Sequence, residues 1–287
     1  MQTKPTWKQL LERERPLLLP CAHDALSARL IERAGFAAYS IGGFPLVGAR
    51  HALPDVGLVG FGEMSAGIRD IMAATDLPVL VDGDDGYGDA KNVARAIAGY
   101  EAMGVAAIFI EDQRAPKRCG HMAGKDVIDA DAMAAKLRAA AAARRNPDTF
   151  IIARTDARAV TSLEDAIERG NLYAEAGADV IFVEAPQTED EIQRVAREVR
   201  APLLANMVIA GRTPAVKFSE LERMGYKIVI YPAVCMAAAI PAMERALALL
   251  RERETDWHEG PALSPLEIFR KVGFDWWQGI EQKYAGA

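Results

Sequence analysis

The chain has 287 residues, 51% of them hydrophobic and 26% charged, and a formal charge of -6. That length suits one large α/β barrel or two ordinary domains, and the balance is that of a soluble globular protein. The acidic charge and scattered basic residues exclude a nucleic-acid-binding footprint, and no stretch approaches the roughly 18–20 apolar residues of a membrane span.

The segment from Met1 to Arg15 is charged and lacks the apolar run of a signal peptide. It is followed by apolar runs at Pro16–Pro20, Ala37–Ile41, Pro78–Val81, Ala106–Ile110, Phe150–Ala153, Val180–Val183, Pro202–Ala205 and Ile228–Tyr231. Each reads as a strand buried on both faces, because its apolar character is continuous rather than alternating. Helix-period segments separate them: Asp24–Ala34, Gly62–Ala74, Ala90–Met103, Ala130–Arg145, Ser162–Ala176, Glu189–Val199, Ser219–Met224 and Ala233–Arg251. Ser162, with Asp165 in the first turn, marks a helix start, and four helices end at a glycine. Eight strands alternating with eight helices predict a (β/α)8 barrel, an α/β fold, as one domain over residues 1–287. A doubly wound sheet is the alternative, but no glycine-rich phosphate loop follows the first strand. The tail, Leu263–Tyr284 within residues 263–287, reads as a further helical segment whose Phe and Trp residues need a neighbouring subunit to cover them. Two loops are long enough to act as lids, Gly42–Phe61 and Gln113–Asp129.

In such a barrel the chemistry sits where the strands end. Those ends carry Gly42-Gly43, Asp82-Gly83-Asp84, Glu111-Asp112, Arg154-Thr155-Asp156, Glu184, Asn206 and Tyr231-Pro232. Asp82 and Asp84, two apart, are expected on one side of a strand. With Glu111 they form an all-oxygen set suited to Mg2+, or Mn2+, rather than Zn2+. An acidic solvated turn is the plainer reading of Asp-x-Asp alone. Arg154, leaving an apolar run, needs a carboxylate from a ligand or from the protein, with Glu184 as the internal candidate. The Gly42 and Gly43 amides offer N–H groups to a carboxylate.

The second long loop holds Lys117-Arg118-Cys119-Gly120-His121. Cations beside a thiol lower its pKa and prepare it as proton donor or nucleophile. Cys21 and Cys235 read as packing residues, and His23, His51 and His258 have no catalytic company. Three cysteines, odd in number and far apart, fit a reducing cytoplasmic location.

In this order these residues resemble the isocitrate lyase / phosphoenolpyruvate mutase superfamily. The likeness runs from about Leu17 to Tyr284 and is nearest to lyases of the 2-methylisocitrate and 2,3-dimethylmalate type. Its carriers are Glu111-Asp112-Gln113 through His121, Asp82-Gly83-Asp84, Gly86-Tyr87-Gly88, Ala153–Ala157, Val183-Glu184-Ala185, Ala205-Asn206-Met207, Gly211–Pro214 and Pro54-Asp55. The resemblance implies a carbon–carbon lyase that cleaves a 2-hydroxy acid to a 2-oxo acid and a carboxylic acid. It adds Asp55 to the metal site and sets Arg118, Gly120, Asn206 and Thr213 against the substrate. Cys119 becomes the proton donor to a carbanion, supported by Lys117, Arg118 and His121, with Glu184 orienting His121. The implied assembly is a tetramer of dimers that exchange their last helix. An oxaloacetate hydrolase or decarboxylase is the alternative. A barrel that only binds a small acid would be credible were Asp84 or Cys119 missing. Two positions depart from the pattern: Gly42 stands where lyases carry Ser, and Ile209 where they carry Glu.

Overall fold

A computed structural model describes residues 5–13, 15–256 and 262–285; His258 lies outside them. Its strands are β1 (Leu17–Pro20), β2 (Tyr39–Ile41), β3 (Val79–Asp82), β4 (Ala107–Glu111), β5 (Phe150–Thr155), β6 (Val180–Val183), β7 (Leu203–Asn206) and β8 (Ile228–Tyr231). All pairings are parallel, in the order β1-β8-β7-β6-β5-β4-β3-β2. The ring closes through a bridge between Cys21 and Ser40, where the Ala22 N–H donates to the Ser40 carbonyl at 2.9 Å. This is the expected (β/α)8 barrel.

Strand alternation divides the core in two. Leu19, Leu80, Phe109, Ile152, Phe182, Leu204 and Ile230 fill the barrel, and Trp7 and Leu10 of α1 (Trp7–Leu11) pack into the same cluster. The outward-facing residues pack against helices in the larger cluster. Two residues beyond each barrel-filling side chain, the same inward face presents Cys21, Asp82, Glu111, Arg154, Glu184 and Asn206. The polar rim therefore stands directly on a dry apolar layer.

The outer helices are α2 (Ala25–Arg33), α4 (Phe61–Met72), α5 (Ala90–Ala102), α6 (Ala130–Ala143), α8 (Leu163–Glu175), α9 (Glu189–Glu198) and α10 (Phe218–Met224). Ser162 caps α8, accepting from the Asp165 N–H at 3.1 Å. Three helices are additional to those read from sequence: α1, α3 (Gly43–His51) and the single turn α7 (Ala157–Val160). Helix α3 lies inside the first long loop. Its Gly43, Pro45 and Gly48 weaken the helical signal, and its N-cap, Gly42, makes no side-chain cap bond.

The predicted tail segment is two helices, α12 (Pro265–Lys271) and α13 (Phe274–Tyr284), broken at Gly273, whose φ is 97°. Neither these nor α11 (Val234–Arg253) buries a residue. On the barrel itself, Leu18 of β1 is the one exposed residue in any described strand, at 36%, and Leu26 and Leu30 of α2 are exposed as well. No helix in the described residues is long and apolar enough to cross a membrane.

Candidate active site

The strand ends and the two lid loops enclose a cavity of about 310 Å3. Cys119, Gly120 and His121 form one wall, Gly42 and Gly43 another, and Asp55, Asp82, Arg154, Glu184 and Asn206 come from between.

Strand β3 stops at Asp82, and Asp84 (φ 49°) lies past it, so the two acids do not share a strand face by alternation. Instead the chain turns back, and the Asp84 N–H donates to Asp82 Oδ1 at 2.9 Å. Asp82 Oδ2 accepts from the Gly43 N–H at 2.9 Å, and Cys21 Sγ accepts from the Gly42 N–H at 3.1 Å. Both glycine amides, expected to be free for a ligand carboxylate, are thus committed within the protein. Cys21 is not simple packing: it lines the cavity beneath Gly42, and burial pushes its thiol up to about 12. Its position two residues past Leu19 on the inward face was the signal for this.

Lys117 departs further from expectation. Its ammonium does not flank Cys119 but pairs with both Asp55 and Asp84. Burial alone would lower its pKa, yet the acids Asp84, Asp82, Glu111 and Asp55 raise it well above the usual lysine value. Arg118 is exposed, with its guanidinium toward the Ala123 carbonyl at 3.5 Å, outside the cavity. Only its backbone holds the lid: its N–H and carbonyl each bond the Gln113 side chain at 2.8 Å.

Arg154 is buried over the Phe182 ring. It forks onto Asp156 at 3.0 and 3.1 Å, reaches Glu111 Oε2 at 3.1 Å, and lies 3.5 Å from Glu184. The internal partnership therefore exceeds the single Glu184 pair expected. Burial opposes the guanidinium's charge, but Asp156, Glu111 and Glu184 more than offset that. Asp156 and its second partner Lys125 were not singled out from sequence, though Asp156 follows Arg154 by two in the same motif. Lys125 also donates to the Gly120 carbonyl, tying the lid to the rim.

Glu184 receives Asn206 Nδ2 at 3.2 Å and lies 3.4 Å from His121 Nε2. His121 Nδ1 accepts from the Arg212 N–H at 3.1 Å, which assigns the proton to Nε2, facing Glu184. Burial lowers the His121 pKa, with Glu184 opposing, so the ring is neutral rather than a charge beside the thiol. Gly120 lies so close to Arg154 and Glu184 that a Cβ there would stand 2.7 Å from Glu184 Cγ. Thr213 is buried outside this cavity, in a neighbouring one.

The Cys119 thiol is raised, not lowered. Burial dominates, while the His121 backbone N–H and Arg154 pull the other way. Sequence proximity of cations misleads here, because Lys117 and Arg118 point elsewhere. A protonated, half-buried thiol on a closed lid is suited to giving a proton rather than attacking as a thiolate.

The carboxylates outnumber the cations. Asp55, Asp82, Asp84, Glu111, Asp156 and Glu184 face Lys117, Lys125 and Arg154. Burial accordingly raises Asp84 and Glu111 above the ordinary carboxylate range. Glu111 Oε1 is buried without a hydrogen-bond partner, and Asp84 Oδ1 is met by the Lys117 ammonium alone. Among the described residues no three acidic, His or Cys side chains stand at metal-ligand spacing, and the Lys117 ammonium lies between Asp55 and Asp84. The donor set nevertheless fits a hard divalent ion: all oxygen, one buried oxygen of Glu111 orphaned, and an excess of negative charge.

Residues 7–251 match the family model described as phosphoenolpyruvate phosphomutase. The chain belongs to this family. Within the phosphoenolpyruvate mutase / isocitrate lyase superfamily its relatives include carbon–carbon lyases. The 2,3-dimethylmalate lyase of Eubacterium barkeri is 42% identical over 89% of this chain and 88% of its own length. The 2-methylisocitrate lyase of Halalkalibacterium halodurans is 39% identical over 97% and 92%. An oxaloacetate acetylhydrolase solved with 3,3-difluorooxalacetate superposes with a TM-score of 0.93 at 30% identity, covering 98% of this chain and 97% of that one. A phosphonopyruvate hydrolase solved with oxalate and Mg++ superposes with a TM-score of 0.84 at 29% identity, over 96% of each chain.

Proposed function

We propose that this superfamily member is a divalent-metal-dependent lyase that cleaves an alkylmalate-type 2-hydroxy diacid to a 2-oxo acid, such as pyruvate, and a carboxylic acid. The observation that carries the reading is the position of Cys119, half-buried on the loop that walls an acid-rimmed cavity, where burial raises its thiol pKa.

Asp84, Asp82, Glu111 and Asp55 would hold Mg2+, with Mn2+ the alternative; that fits their all-oxygen donors, the orphaned Glu111 Oε1 and the metal named with the phosphonopyruvate hydrolase. Bound there, such an ion lowers the pKa of a chelated hydroxyl and stabilises negative charge on its oxygen. Arg154, the buried cation lining the cavity, orients the substrate carboxylate. The bond between C2 and C3 breaks, its electron pair stays on C3, and the C2 hydroxyl gives its proton to solvent as the carbonyl forms, which balances the proton that Cys119 later regains from solvent. Cys119 then protonates C3. The resulting thiolate is stabilised by the His121 N–H and by Arg154, which already pull the thiol toward ionisation. Glu184 fixes the neutral His121 ring, and Asn206 fixes Glu184. The lid, tied down at Gln113, Lys117, His121 and Lys125, excludes water from the carbanion.

The raised thiol sets a pH dependence. A proton donor works below its pKa, so kcat should hold through neutral pH and fall only above the ordinary thiol range. A pH–rate profile checks this; an alkaline limb below that range contradicts it.

Gly120→Ala tests the lid. The added methyl meets Arg154 and Glu184, so the loop cannot seat, and displacement of about 1 Å costs on the order of 100-fold in kcat. Limited trypsinolysis should show faster cleavage after Lys117 or Arg118 at an unchanged melting temperature.

The assembly follows the family reading of helix-exchanged dimers paired into a tetramer. The unburied α11–α13 and the open flank at Leu18, Leu26 and Leu30 support it. Light scattering should return four chains per particle, and deletion of residues 263–287 should lower that mass or cause aggregation.

The likeness to an oxaloacetate acetylhydrolase favours a second reading, hydrolysis of oxaloacetate on the same barrel. Release of acetate and oxalate, rather than pyruvate from an alkylmalate, distinguishes it.

A further inference from the structure

Beside the catalytic cavity lies a second chamber of about 470 Å3. The two share Val208 and Ile209 of the β7–α10 loop and Ala233 and Ala237 at the start of α11. No charged side chain lines the second chamber. Thr213 on its wall is 6% exposed, and its hydroxyl has no hydrogen-bond partner. Buried hydroxyls are normally satisfied, so this one takes a water, which an alkyl chain beside it would not replace.

The lid ties the chamber to the chemistry. His121, two residues after Cys119, accepts from the Arg212 N–H of the same β7–α10 loop. The carbon that Cys119 protonates is C3, which carries the substituent of the leaving acid. Val208 and Ile209 stand between the two cavities, so a substituent that passes them enters the second chamber. A charged carboxymethyl group would enter a chamber with no cation to receive it, whereas an alkyl chain would lose only its contact with water.

Resting on the lyase reading above, we infer that the chamber is the subsite for an unbranched alkyl substituent at C3. The preferred substrates are then 2-methylmalates with a 3-propyl or longer chain, in preference to 3-methyl or 3-carboxymethyl. The products are pyruvate and an unbranched fatty acid; Cys119 regains its proton from water, and no further co-reactant is needed.

All members of a 3-substituted 2-methylmalate series (methyl, ethyl, propyl, butyl, carboxymethyl) release the same pyruvate, so one assay of the full-length chain with Mg2+ compares them. The expected result is a rise in kcat/KM of about fourfold per added methylene, with the carboxymethyl compound below the propyl one. Ala215, in the β7–α10 loop, and Ala238, on α11, are exposed residues that line the chamber. Ala215→Leu and Ala238→Leu should each lower the butyl-to-methyl ratio roughly tenfold with particle mass unchanged. A flat or falling series, or carboxymethyl above propyl, overturns the chamber assignment while the lyase reading stands. So does a change in mass with no change in ratio, which would make the chamber a seat for a second copy of the chain. No pyruvate from any member overturns the lyase reading itself.

Discussion

Replacement of Cys119 by serine should lower kcat for carbon–carbon cleavage by about 10²–10⁴-fold, the usual worth of a positioned general acid. The hydroxyl keeps the shape of the thiol but is a far weaker acid, and the carbanion must wait for a proton. Burial already holds the thiol protonated, so the variant changes acidity without removing a charge from the site. The acids that would hold the metal lie on other elements, and Cys119 makes no ion pair with them. Mg2+ and product binding, measured by calorimetry, should therefore survive. Unchanged turnover in Cys119→Ser would remove Cys119 from the mechanism.

Arg154→Gln should have the largest effect on the protein as a whole. The guanidinium is the shared partner of Glu111, Asp156 and Glu184, all buried. Removing one partner of a buried pair typically costs about 3–5 kcal/mol, because the remaining charge loses its compensation. Lys125 still serves Asp156, which limits part of the loss. Chemical denaturation should show the destabilisation, and cleavage should be lost with it. Arg154→Lys keeps the charge but not the fork onto Asp156, so it should recover most of the stability and little of the turnover. Equal stability of Arg154→Gln and the parent chain would contradict the network.

The barrel was legible because its strands carry continuous apolar runs and its helices carry caps. Helix α3 was not: glycines and a proline hide a helix that is ordered by its position over the rim. At the site, the rim residues followed from where the apolar runs end, and the structure sets them two past a barrel-filling residue, as with Phe109 and Glu111 or Phe182 and Glu184. The loop residues did not follow. Adjacency in Lys117-Arg118-Cys119 says nothing about direction, and the structure sends the three side chains to the acid cluster, to solvent and to the cavity. The thiol's environment is consequently set by burial and not by its neighbours in sequence. Asp156 and Lys125 were overlooked for a related reason: their pairing spans the gap between lid and rim, which no local pattern records.

The central claim is tested most directly by incubating the purified chain and Mg2+ with 2,3-dimethylmalate and, separately, with oxaloacetate, and identifying the products. The account predicts pyruvate and propanoate from the first, abolished by chelation of the metal. Turnover of oxaloacetate alone, with the alkylmalate untouched, would contradict it.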